Sequence, residues 1–213
     1  MSENQLDEFK RKIGSYVEQF DTKKYDLNLY HQVIGSKELT AEQIKSILCW
    51  KLRGKLKYEQ LKKDHRKLID RAIESLQDIN NFKKGSIPIS SFDETLKYIS
   101  PKGPIIRRFL LHICKPQEYE LFDQHVFRAF YYFKTGEMYT GSVTFSKAER
   151  YYSEYNLFFK KLCSELKDNY KPKEIDGALM VYGKELKKKF KNMRKVNKAT
   201  LVKSPFFLSS SLL

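Results

Sequence analysis

The chain has 213 residues, 41% of them hydrophobic and 14% aromatic, with a formal net charge of +15. This supplies material for a core without covalent staples and excludes a disordered chain, while the lack of any run of about 18 apolar residues argues against a membrane span. The polar start MSENQLDEFKRK is unlike a secretion signal, and three scattered cysteines (Cys49, Cys114, Cys163) without a C-x-x-C pair point to reduced thiols, a cytoplasmic location and no metal or other cofactor.

The periodicity is helical almost throughout. Leu6, Phe9, Ile13, Tyr16, Val17 and Phe20 form the first stripe. Thr40-Ala-Glu-Gln43 reads as a capping box, in which the threonine oxygen accepts an early helix N–H and Gln43 reaches back. Ile44, Ile47, Leu48 and Leu52 then mark one face, and Leu68, Ile69, Ala72, Ile73, Leu76 and Ile79 the next. A loop is expected over Lys83-Lys-Gly-Ser-Ile-Pro-Ile. Ser91-Phe-Asp-Glu94 reads as a second capping box, opening a short helix with Phe92, Leu96 and Ile99.

Ser100-Pro-Lys-Gly-Pro104 stops that helix, because proline lacks a donor and constrains its predecessor. Pro104 suits the first turn of a new helix, which carries Ile105, Ile106, Phe109, Leu110 and Ile113 until Lys115-Pro116. After a loop to Asp123 comes a helix with Val126, Phe127, Phe130 and Phe133. A third capping box, Ser146-Lys-Ala-Glu149, precedes a Tyr/Phe-rich helix, and Pro172 opens the last one. No alternating run supports a sheet, so the fold class is all-α, with seven to ten helices. Beyond about Lys195 no period is evident, and Lys203-SPFFLSSSLL is apolar yet aperiodic.

The charge is uneven. Residues 51–71 hold nine Lys/Arg against three acids, residues 171–213 hold eleven against three, and the other 149 residues sum to only +1. Two basic blocks on a near-neutral body suit a polyanion, with salt-sensitive affinity. A lysine-rich solvated face is the plainer alternative.

Helix, tight turn, helix, loop and then Phe122-Asp-Gln-His-Val-Phe-Arg128 resembles the helix-hairpin-helix DNA glycosylase superfamily over residues 95–133. Members carry a Gly-rich hairpin and, later, an Asp-x-His-Val-x-Arg-like motif with the catalytic aspartate. The resemblance implies a two-lobed helical fold over residues 1–195, with 196–213 as a tail, in a monomer that binds DNA. It casts Asp123 as the catalytic carboxylate, stabilising positive charge on the sugar as the base leaves. Lys102, Gly103, Arg107, Arg128, Lys187, Lys188 and Lys189 become the expected DNA contacts. The position of the lysine that forms a Schiff base in bifunctional members is Ile105, eighteen residues before Asp123. The expectation is therefore monofunctional base excision without strand cleavage. The alternatives are a scaffold without activity that binds nucleic acid or protein, and a helical nuclease or defence component.

Each residue also has a structural reading. Asp123 can be only a helix N-cap, worth about 1 kcal/mol. His31, His65, His112 and His125 read as structural, Trp50 as core, Arg128 as the partner of a nearby carboxylate or carbonyl, and Asp176 as an early-turn carboxylate facing the helix dipole.

Overall fold

The computed structural model describes residues 3–20, 27–53 and 57–202; the apolar end from Lys203 and residues 54–56 of the first basic block lie outside them. The described residues form ten α-helices and one 3-10 turn, with no strand among them. In chain order these are α1 (Glu3–Gln19), α2 (Leu27–Gly35), α3 (Ala41–Arg53), the 3-10 turn (Tyr58–Gln60), α4 (Lys63–Glu74), α5 (Leu76–Lys84) and α6 (Ile89–Ile99). There follow α7 (Pro104–Cys114), α8 (Gln124–Thr135), α9 (Phe145–Leu166) and α10 (Pro172–Val202). The chain is all-α.

Local chemistry explains most boundaries. Thr40 and Gln43 form the expected reciprocal box, with Gln43 N–H donating to Thr40 Oγ1 at 3.2 Å and Thr40 N–H to Gln43 Oε1 at 2.9 Å. Asp123 caps α8, and Pro104 and Pro172 each open a helix, where a missing N–H costs nothing. Gly85, at φ 78°, ends α5 in the left-handed conformation that glycine adopts without strain.

Four boundaries differ from expectation. Helix α5 runs through Lys83 and Lys84, so that loop is shorter. Helix α6 starts behind Pro88, whose carbonyl accepts from Phe92 N–H at 3.2 Å; Ser91 is inside the first turn, and Glu94 bonds Lys97 instead of capping. Helix α9 is capped by Thr144, which accepts from Lys147 N–H at 3.4 Å, two residues before the expected Ser146. A β-hydroxyl already stood upstream in both sequence and space, and Glu149 pairs with Arg108 across the molecule. Helix α10 continues to Val202, past Lys195, where the lysine-rich stretch hides its period.

The buried side chains fall into two hydrophobic clusters. One joins α1 to α8, α9 and α10, so the first and last helices share a core built on Phe9, Phe127, Phe133, Tyr155 and Tyr182. The other comprises α2 to α7. Two residues from α7 cross the seam. Ile105 packs against the first cluster, and Arg108 bonds Glu149 of α9 at 2.5 Å while lying 4.2 Å above the Tyr152 ring. Tyr119, in the loop after α7, packs against both clusters.

Candidate functional site

The α8 N-terminus lies on this seam. Asp123 has extended backbone, and its Oδ1 accepts from both His125 N–H at 2.7 Å and Val126 N–H at 2.9 Å. One oxygen therefore does the capping, and Oδ2 is outside that arrangement. Burial pushes the Asp123 carboxyl up, but the charge of Lys51, the Val126 and His125 amides and the His125 ring together hold it below the usual aspartate range. The group is a desolvated anion at neutral pH.

What positions α8 is α10. A methyl group on Gly183 would meet the His125 carbonyl oxygen at 1.9 Å, so only glycine lets the two backbones approach this closely. The approach brings Lys184 and Lys187 toward His125, and these charges, after burial itself, add to the downward push on its imidazole. His125 Nδ1 accepts from Arg128 Nη1 at 3.1 Å, so the ring carries its proton, if neutral, on Nε2.

The fourth contributor comes from the other cluster. Lys51, on α3, places its amine 5.1 Å above the Phe109 ring of α7. Among the described residues it has no ion pair within 4.0 Å. Burial lowers its pKa; Asp123 and Asp176 oppose that shift and Lys173 adds to it. The carboxylates of Asp123 and Asp176 thus act electrostatically on an ammonium of α3 from the other cluster.

Asp176 connects this centre to a cavity of about 470 Å³ bounded by α2, α7, the 116–121 loop, α9 and α10. Its walls include Tyr30, His112, Glu120, Phe159, Lys173 and Asp176; Asp123 is not on them. Lys173 bonds Asp176 at 2.6 Å and lies 5.1 Å over the Tyr30 ring. Tyr30 stacks on His112 and its hydroxyl meets His112 Nε2 at 2.7 Å, while Nδ1 lies 2.6 Å from the Tyr119 carbonyl oxygen. A carbonyl only accepts, so Nδ1 donates and Nε2 takes the Tyr30 proton. Burial lowers the His112 pKa to about 4, against the pull of the Tyr119 carbonyl. Burial raises Glu120 to about 7, with Lys160 opposing and Asp176 adding.

The expected DNA contacts divide. Lys102, Lys187 and Lys188 are exposed, and Lys189 is exposed but engages Glu185 at 2.8 Å. Arg107 and Arg128 are buried, 7% and 3% exposed. Arg107 Nε donates to the Ser100 carbonyl at 2.8 Å and Nη2 to the Pro101 carbonyl at 2.7 Å, so its guanidinium staples the turn between α6 and α7. Arg128 reaches back along α8 to His125 and Gln124. Both are held inward by the acceptors they reach, the turn carbonyls for Arg107 and the His125 and Gln124 side chains for Arg128. Gly103 has φ −110°, and a Cβ there would lie 2.3 Å from Ser100 Oγ, which would have to turn aside.

Sequence reasoning missed Lys51, counted within a basic block, together with Glu120 and the Tyr30–His112 pair. Lys51 had a readable signal: it lies at helical spacing from Ile44, Ile47 and Leu48, on the apolar stripe. Among the described residues no group of three His, Cys, Asp or Glu side chains is arranged to hold a metal ion, and no helix is long and apolar enough to cross a membrane. Comparison with protein-family models, curated proteins and solved structures finds no match to this chain.

Proposed function

We propose that the chain binds DNA and releases a base from it, with Asp123 as the carboxylate that stabilises positive charge on the sugar as the N-glycosidic bond breaks. The observation that carries this reading is the state of Asp123: a carboxylate held ionised and fixed by two amides on Oδ1, with Oδ2 outside the cap. A rigid charge in a partly dry seam acts on a developing cation more strongly than one in water, because it needs no reorganisation at the moment of reaction. The cap and the chemistry are compatible, since they use different oxygens.

The lysines beside this helix terminus supply the affinity. Lys184 and Lys187 act electrostatically on His125, and Lys188 adds an exposed charge on the same helix. Such a surface grips phosphates without reading sequence. The Ser100–Pro104 turn, stapled by Arg107, presents Lys102 as a second contact.

The test is base release from duplexes carrying alkylated, deaminated or oxidised bases. Asp123→Asn should abolish release while leaving DNA binding within a few-fold of the parent, since the amide oxygen still caps α8 but lacks the charge. Full activity in Asp123→Asn removes Asp123 from the chemistry. Binding without release from any duplex leaves a nucleic-acid-binding scaffold.

A further inference from the structure

We propose that the cavity between the two hydrophobic clusters binds a small organic monocarboxylate, with its apolar body against Tyr30, Leu121 and Phe159 and its carboxylate at Lys160, Lys171 and Glu120. Asp123 is not on the cavity walls, so this inference stands or falls independently of base release. At about 470 Å³ the space lies within the range of about 300–1,000 Å³ typical of small-molecule sites.

The walls decide the chemistry of the ligand. Tyr30 comes from one cluster and Phe159 from the other, with Leu121 and Cys163 packed beside them. The polar atoms of the Tyr30–His112 pair are satisfied by each other and by the Tyr119 carbonyl. These two rings therefore offer surface rather than hydrogen bonds, and the wall calls for an apolar body. The charges on it are unequal. Lys173 and Asp176 neutralise each other at 2.6 Å. That leaves the exposed Lys160 and Lys171 against the half-buried Glu120 carboxyl. Among the described residues none of these three has an ion pair within 4.0 Å. Lys160 acts on the Glu120 charge without closing a pair, so two ammonium groups keep their capacity for an outside anion. Lys171 directly precedes α10, whose positive end adds to the same excess. A cationic ligand would instead add a third unpaired positive charge.

Glu120 completes the site as a donor. Burial holds its carboxyl up at about 7, with Lys160 opposing and Asp176 adding, so below neutrality it is protonated and donates to a bound carboxylate. Above neutrality two carboxylates would share the space and repel. Affinity is therefore expected to fall as pH rises from 6 to 8.5, by up to about tenfold for each unit beyond 7. His112, at about 4, stays neutral through this range, and Cys163, at about 12, stays a thiol. The other charged groups on the wall are Lys160 of α9, Lys171, and Lys173 and Asp176 of α10, and the remaining imidazole is His31 of α2.

The test is calorimetric titration of the full chain with octanoate and with 1-naphthoate, an aliphatic and an aromatic body carrying the same carboxylate. Octanol, 1-naphthylmethanol and octylamine are the comparison probes. The expected result is saturable binding of at least one carboxylate, with its alcohol at least about tenfold weaker for want of the charged contact. Cys163→Phe, which puts a ring into the cavity, should abolish binding. The double variant Lys160→Gln/Lys171→Gln changes only exposed side chains, so it remains informative if Cys163→Phe folds poorly; it should weaken binding by about tenfold or more. Glu120→Gln should keep binding at pH 6 and remove its decline toward pH 8.5, while His31→Gln should leave that decline in place. No binding of either carboxylate at millimolar concentration, equal binding of the alcohols, tighter binding of octylamine, or affinity unchanged in the double lysine variant overturns the inference. A decline that disappears in His31→Gln and persists in Glu120→Gln overturns the part given to Glu120.

Discussion

Replacing His112 with phenylalanine should make the stability of this chain depend on pH in the opposite sense from a simple loss of contacts. The imidazole is 4% exposed and neutral, held between the Tyr30 hydroxyl and the Tyr119 carbonyl. Its pKa falls from 6.5 to about 4 on folding, chiefly through burial. Between those values the unfolded chain binds a proton that the folded chain refuses, so the stability of the parent is lost as pH drops through this window. At about 1.4 kcal/mol for each pH unit, the full loss is about 3 kcal/mol. Phenylalanine keeps the ring contact with Tyr30 and cannot titrate, but it leaves the Tyr30 hydroxyl without its acceptor, at a cost of about 1–3 kcal/mol. Urea denaturation of both proteins from pH 8 to pH 4 should then give a gap of that size at pH 8. The gap should close toward pH 4 as only the parent weakens. A gap that stays constant between pH 7 and pH 4 would show that folded His112 titrates like a free histidine, and would refute the neutral, doubly bonded imidazole.

Glu120 works in the reverse direction: burial lifts it from 4.5 to about 7, so the folded chain holds an extra proton there and loses stability as pH rises through that range. Glu120→Gln should therefore stabilise the chain at pH 8 by about 1–2 kcal/mol, reduced for its partial exposure, and leave it unchanged near pH 4, again by denaturation. Gly183→Ala should cost about 3 kcal/mol, the upper end of overpacking penalties, because the obstacle is the His125 backbone rather than a movable side chain; a thermal melt within a degree of the parent would contradict that contact. Replacing Lys187, Lys188 and Lys189 together by alanine should flatten the salt dependence of duplex binding by up to about three phosphate contacts' worth of slope, measured by anisotropy titration, and an unchanged slope would remove this face from the interface.

The helices were legible because their causes are local. Period, proline position and a capping hydroxyl act within a few residues, and the Thr40 box, the Asp123 cap and both proline starts follow from them. The misplaced start of α9 has an equally local cause, since the Thr144 hydroxyl caps it two residues upstream, whereas α6 starts behind Pro88 without any side-chain cap. The inward turn of Arg107 and Arg128 was less accessible. A basic residue in a motif reads as a contact until the fold shows which carbonyls surround it, and the Ser100 and Pro101 carbonyls become partners only once the turn has formed.

The site is a different kind of object, because it exists only where three distant segments converge. Asp123 could be singled out by its motif, but its ionisation depends on Lys51, more than seventy residues upstream and on the other side of a seam that no local pattern announces. Read as one of nine basic residues in a block, Lys51 is a solvated charge; read on its stripe with Ile44, Ile47 and Leu48, it is a charge directed into a core. The second reading carries an obligation, since a buried ammonium must find compensation or lose its proton. Here the compensation is partial: Asp123 and Asp176 oppose a desolvation that still prevails, leaving the amine easier to deprotonate than a surface lysine. A pair that cancelled fully would be a structural tie. Here one charge is held and the other is eased toward its neutral form, so the two groups are coupled across the seam without being matched.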